Sequence, residues 1–192
     1  MALERFPYRV GCVDAGSNAI RFFAAEFTGP TQFETLAYDR VPVRLGHQVF
    51  LTGQLAPQAM DGAVAAFGSF RDQMEALKLD AFRAVATSAT REAKNGQLLV
   101  DRLKEKTGIE LERISGTEEA RLVHLAVAAT VNLTGGQWIL TDLGGGSVEV
   151  SLVDDMGMLW SESHTMGSVR LLEKLSEAAG ESVGFETLLS DY

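Results

Sequence analysis

Two stretches of the chain share one hydrophobic pattern. Residues 139–143 are apolar enough for a buried strand, three consecutive glycines follow at 144–146, and Val148, Val150 and Leu152 then alternate with Glu149 and Ser151 at the period of a second strand. Residues 9–27 repeat the plan as strand, Gly16-Ser17-Asn18 turn and strand. Laid over one another, Asp14 falls on Asp142 and Gly16 on Gly144, and each copy runs into a third apolar-rich segment, at 32–43 and at 158–165. The spacing is too long for a solenoid, so the repeat predicts two related lobes, each lending one turn to a shared cleft.

Between the copies the period changes to that of helices. Met60, Val64, Phe67, Phe70, Met74 and Leu77 predict an amphipathic helix over 57–79 whose aromatics are core. Residues 81–87 predict a buried strand, 88–93 a short polar segment carrying Arg91, 96–107 a helix stopped by Gly108, and 109–114 a short strand. Such alternation implies an α/β lobe with a mixed sheet. Ser115-x-x-Glu118 fits a capping box at the start of a further helix that runs to the Gly135-Gly136 break. Near the end, Gly167 leads into a helix reaching about Ala179, whose N-terminus offers amides to an anion, and the tail from Gly180 stops soon afterwards. The first lobe thus spans 1–134. The segment 135–192 reads as the beginning of a second lobe, with about half of it missing by the logic of the repeat, and the sheet edges left exposed favour a homodimer.

Composition narrows the classes. With 192 residues, 46% of them hydrophobic, the chain can bury a core for one large domain or two small ones, and 4 prolines with no low-complexity run leave no long disordered linker. A net charge of -9 argues against a nucleic-acid binder. Residues 1–7 lack the layout of a signal peptide and no apolar run reaches membrane-spanning length. The lone Cys12, in an apolar strand pattern, reads as a buried thiol in a reducing compartment, which together predicts a cytoplasmic protein with no membrane partner.

Chemistry concentrates at the two turns. A glycine-rich strand-turn-strand lets backbone N–H groups converge on phosphate oxygens. Asp142 and Glu149 put carboxylates beside that concavity and suggest a hydrated Mg²⁺, an ion bound by one or two carboxylates, waters and phosphate oxygens. One Asp-x-Gly-Ser turn alone reads as an ordinary hairpin; its repetition is what favours a shared site. The capping box gives Glu118 a structural task and leaves Glu119 either as decoration of the helix dipole or as a general base aligning water for attack on a phosphoanhydride. His47, His124 and His164 lie far apart and fit no zinc set, and no Walker-type string occurs.

Four blocks together resemble the exopolyphosphatase and guanosine pentaphosphate phosphatase family, a branch of the actin, Hsp70 and sugar-kinase superfamily. They are residues 13–21 (Val-Asp-Ala-Gly-Ser-Asn-Ala-Ile-Arg), 86–93 (Ala-Thr-Ser-Ala-Thr-Arg-Glu-Ala), 115–122 (Ser-Gly-Thr-Glu-Glu-Ala-Arg-Leu) and 142–149 (Asp-Leu-Gly-Gly-Gly-Ser-Val-Glu), with a weaker fifth at 167–171. The resemblance implies a ribonuclease H-like (actin-like ATPase) lobe with a mixed five-stranded sheet, followed by a truncated related lobe. It implies Mg²⁺-dependent release of a terminal phosphate from inorganic polyphosphate or guanosine pentaphosphate. Glu119 then looks like the catalytic base. Gly144, Gly145, Gly146 and Ser147 look like the phosphate loop, Ser17, Asn18 and Arg91 like further phosphate contacts, and Asp142, with Glu149 and Asp14, like the metal side of the site. Arg21 and Arg170 stay open between phosphate contact and structural arginine, and Ala19 departs from a serine common in the family. Two rivals remain: a sugar- or acetate-kinase-like phosphotransferase, and a catalytically weak module that binds polyphosphate or guanosine pentaphosphate.

Overall fold

The computed structural model describes residues 6–178; the readings on residues 1–5 and on the tail from Gly180 fall outside them. β1 (Tyr8–Ala15) and β2 (Ile20–Phe27) pair antiparallel across the first turn, and β3 (Phe33–Val41) adds to β2. The chain then leaves the sheet through a short helix α1 (Val49–Thr52) and the 21-residue α2 (Pro57–Leu77), returning as β4 (Ala81–Ala86) parallel to β1. A parallel partner needs such a crossover. A second one, α3 (Ser88–Glu92) and α4 (Gly96–Thr107), brings β5 (Leu111–Arg113) parallel to β4. The order β3-β2-β1-β4-β5 is the mixed five-stranded sheet of a ribonuclease H-like, actin-like lobe. Residues 88–92, within the short polar segment expected at 88–93, form a helix in which the Arg91 amide bonds back to the Thr87 carbonyl at 2.9 Å; five residues are too few to show a period in sequence.

The core of this lobe lies on one face of the sheet. Met60, Phe67, Phe70 and Met74 of α2 are buried there, Phe70 stacks on Phe22 with centroids 5.4 Å apart, and Leu99 and Leu103 of α4 complete the cluster. Val13 and Ala15 of β1 point into it, so the period of two sends Cys12 and Asp14 to the opposite face. The buried-thiol expectation is therefore corrected: Cys12 is exposed. Desolvation against the sheet, and then the Asp14 charge, push its thiol pKa up.

The remaining elements are α5 (Gly116–Ala128), β6 (Trp138–Leu143), β7 (Val148–Asp154), β8 (Gly157–His164) and α6 (Ser168–Ala178), with β6-β7-β8 an antiparallel sheet. α5 precedes this sheet in the chain yet packs on it, against β7 and β8. The approach is close: a Cβ on Gly116 would lie 2.5 Å from Ser163 Cβ and 2.6 Å from its Oγ, so only glycine fits. The sense of the alternation in β7 is the reverse of what its hydrophobicity suggests. Glu149, Ser151 and Val153 are buried, whereas Val148, Val150 and Leu152 are half-buried and Ile139 and Leu143 beside them are exposed. Polar groups tolerate burial under α5 because they pair across strands, Ser163 Oγ donating to Glu149 Oε1 at 2.7 Å and Ser151 to Ser161 at 3.3 Å.

The cap of α5 is half of the expected box. Ser115 Oγ accepts from the Glu118 amide at 3.1 Å, but the Glu118 carboxylate turns outward to Arg121 at 2.6 Å and Arg83 at 3.2 Å instead of reaching back. Hydrogen bonding to Arg121, the largest cause, helps hold the Glu118 pKa down to about 2. Among the described residues no helix is long and apolar enough to cross a membrane.

Candidate functional site

Both turns close with the same hydrogen bond. The Gly16 amide donates to the Ala19 carbonyl at 3.1 Å and the Gly144 amide to the Ser147 carbonyl at 2.9 Å. In each case the amides between these positions, at 17–19 and at 145–147, make no hydrogen bond among the described residues. The turns face one cavity of about 260 Å³. Asp14, Ser17 and Asn18 line it from the first lobe, Asp142, Gly144, Gly145 and Ser147 from the second, and Glu119 from the start of α5.

α6 holds the second turn from behind. The Ser168 amide donates to the Gly144 carbonyl at 3.0 Å, and the Val169 and Arg170 amides to the Gly145 carbonyl at 2.8 and 3.1 Å. These helix-start amides, expected to meet an anion directly, are thus occupied. Their effect is indirect. In a trans peptide the C=O and the next N–H point opposite ways, so anchoring the Gly144 and Gly145 carbonyls on α6 turns the amides of Gly145 and Gly146 away from it.

Three expected contacts stand off the cavity. Gly146 is packed against Phe50 and Ser88, so tightly that a Cβ there would overlap both. Arg91 sits behind Glu119, its Nη1 donating to Glu119 Oε2 at 3.1 Å and to the Ile114 carbonyl at 3.0 Å, which leaves it a partner of the carboxylate. Glu149 is 2% exposed; one oxygen holds Ser163 and the other, Oε2, finds no partner among the described residues. Arg21 does line the cavity and donates to Asp14 Oδ2 at 3.1 Å, whereas Arg170 is buried behind the turn.

Thr87, Ser88 and Ser168 line the cavity without having been singled out in the sequence. Ser88 Oγ lies 2.9 Å from Ser17 Oγ. The available signal for Thr87 and Ser88 was position: they follow the carboxyl end of a strand parallel to β1, where α/β sheets bind ligands.

Electrostatics set Glu119 apart. Desolvation, the nearby Glu149 charge and, more weakly, Asp14 raise its pKa to about 7 against the lowering effect of Arg91. Asp14 is also raised, first by burial and last by Asp142, with Arg21 opposing. A carboxyl whose pKa is raised to about 7 at the wall of this cavity suits proton transfer with water.

Residues 25–181 match the Ppx/GppA phosphatase family, a span that takes in Arg91, Glu119 and the second turn. The chain is 32% identical over 174 residues to Exopolyphosphatase 2 of Mycobacterium tuberculosis, covering 86% of this chain and 54% of that protein. It is 28% identical over 143 residues to Exopolyphosphatase 1 of the same organism, covering 74% and 42%. The crystal structure of the Aquifex aeolicus member of the Ppx/GppA family superposes with a TM-score of 0.76 at 28% identity, covering 86% of this chain and 54% of that one. The chain therefore spans about half the length of the relatives it matches. With the family match running over most of its length and including the second turn and the α5 carboxylate, this chain belongs to the Ppx/GppA phosphatase family.

Proposed function

We propose that the cavity binds the end of a phosphoanhydride chain, inorganic polyphosphate being the substrate that the names of the relatives favour, and hydrolyses its terminal phosphate. The observation that carries this reading is the presence of Glu119 in the same hollow as both turns. Free amides at 17–19, 145 and 147 donate to phosphoryl oxygens from two sides, and the Ser17, Thr87 and Ser88 hydroxyls extend the donor set. Glu119, oriented by Arg91, takes the proton of a water aligned opposite the leaving oxygen.

Asp14 and Asp142 would hold Mg²⁺. Both line the cavity, where a cation would offset the burial that, before the smaller effect of Asp142, raises the Asp14 pKa. Among the described residues no group of three metal-ligating side chains occurs, so water and substrate oxygens would have to complete the coordination of an ion held there. When bound, the ion neutralises charge on the phosphoryl oxygens. Glu149 acts from behind, through its charge on Glu119.

The test is phosphate release from long-chain polyphosphate with Mg²⁺, with chelator, and by Glu119→Gln. Loss of roughly 10²- to 10⁴-fold in the variant is expected for a general base. Unchanged turnover by a folded Glu119→Gln protein would remove the residue from the mechanism.

A further inference from the structure

Arg170 is only 8% exposed, and it joins the two lobes. Its Nε donates to the Gly146 carbonyl at 2.9 Å, and its Nη2 lies 2.7 Å from each oxygen of Glu92. The guanidinium also lies 4.1 Å over the Phe50 ring. One side chain from α6 therefore grips the second turn together with α1 and α3 of the first lobe. Three residues further along α6, Glu173 accepts from the Gln48 amide and lies 3.3 Å from His47 Nδ1, a second anchor on the residues just before α1.

The partners of Arg170 matter because of what they adjoin. Glu92 follows Arg91, which holds Glu119, and α3 begins at Ser88, which touches Ser17. On the other side, the Gly146 carbonyl belongs to the peptide whose N–H is that of Ser147. Planarity points that N–H away from Arg170, and Ser147 lines the cavity.

We propose that Arg170 is a positioning residue of the phosphate cradle: by tying the Gly146 carbonyl to Glu92 it aims the Ser147 amide into the cavity and fixes the second turn relative to α3. This rests on reading the cavity as the phosphoanhydride site. Arginine is needed because a lysine can meet Glu92 as a point charge but cannot also present Nε to a carbonyl and a flat face to Phe50.

The experiment compares wild type, Arg170→Ala and Arg170→Lys in three measurements. Hydrogen exchange without ligand is expected to quicken in Arg170→Ala by tenfold or more at the bonded amides that hold the turn and α3, those of Gly144, Ser168, Val169, Arg91 and Ala93, while β1 and α2 keep wild-type protection; Arg170→Lys falls between. Calorimetry with tripolyphosphate is expected to show about tenfold weaker binding in Arg170→Ala, the scale of one lost charge-assisted hydrogen bond. Phosphate release is expected to fall about 100-fold, as for a donor misplaced by an ångström. Unchanged exchange at those amides, or exchange quickened equally throughout β1 and α2, overturns the proposal, as does full tripolyphosphate affinity in Arg170→Ala. A wild-type chain that binds tripolyphosphate but releases no phosphate counts against the hydrolase reading alone, and the exchange and binding results still decide the role of Arg170.

Discussion

Arg91 holds Glu119 by a 3.1 Å contact from Nη1 to Oε2, and the same nitrogen is fixed 3.0 Å from the Ile114 carbonyl just beyond β5. The carboxylate is therefore tied to the first lobe although its helix packs on the second sheet. Arg91 favours the ionised form, while burial, Glu149 and Asp14 favour the neutral one, and the balance rests near neutrality.

That balance predicts the pH dependence of turnover. A general base works only when deprotonated, so phosphate release should rise with pH through about 7, the value to which the Glu119 pKa is raised. Removing the lowering partner in Arg91→Ala should move the rise to higher pH. Rate profiles of both proteins check this; a wild-type profile flat between about pH 6 and 8 would speak against Glu119 as the base.

Stability should depend on the same group in the opposite sense. The Glu119 pKa is raised from 4.5 to about 7 on folding, so the folded state prefers the protonated acid. Its contribution is fully present below the unfolded value and is lost as pH climbs through the folded one. Glu119→Gln, which mimics the neutral form, should be more stable than wild type by roughly 3 kcal/mol near pH 8, with the difference vanishing below about pH 4.5. Urea unfolding at the two pH values measures it.

Packing at the start of α5 gives a further prediction. A Cβ on Gly116 would meet Ser163 Cβ at 2.5 Å, a clash that no rotation of the hydroxyl relieves. Gly116→Ala should cost about 1–3 kcal/mol of stability as α5 lifts from β8. Because Glu119 lies less than one helical turn away, turnover should fall as well, and urea unfolding alongside phosphate release reports both.

Much of the fold was legible in the sequence because it was written in periods. The seven-residue spread from Met60 to Phe67 and on to Met74 marks the buried stripe of α2, and residues 96–107 form α4 over the range their pattern predicts. The paired Asp-x-Gly turns were legible for a different reason, their repetition. What escaped depends on three dimensions. Cys12 looked buried because its neighbours are apolar, but which face of β1 is covered follows from where α2 packs. β7 hides its polar side because Ser161 and Ser163 stand opposite Ser151 and Glu149, a register that no local pattern contains. Arg91 and the α6 amides were expected to meet phosphate directly; instead they orient groups that line the cavity, because neighbouring carbonyls and Glu119 reach them first.

The central claim is that two turns, far apart in sequence, form one anion cradle. It is tested most directly by following backbone amide resonances while tripolyphosphate and Mg²⁺ are titrated into the protein. Signals of Ser17 and Asn18 in the first turn and of Gly145 and Ser147 in the second should shift together along one binding curve. Shifts confined to one turn, or two curves with different midpoints, would contradict a shared site.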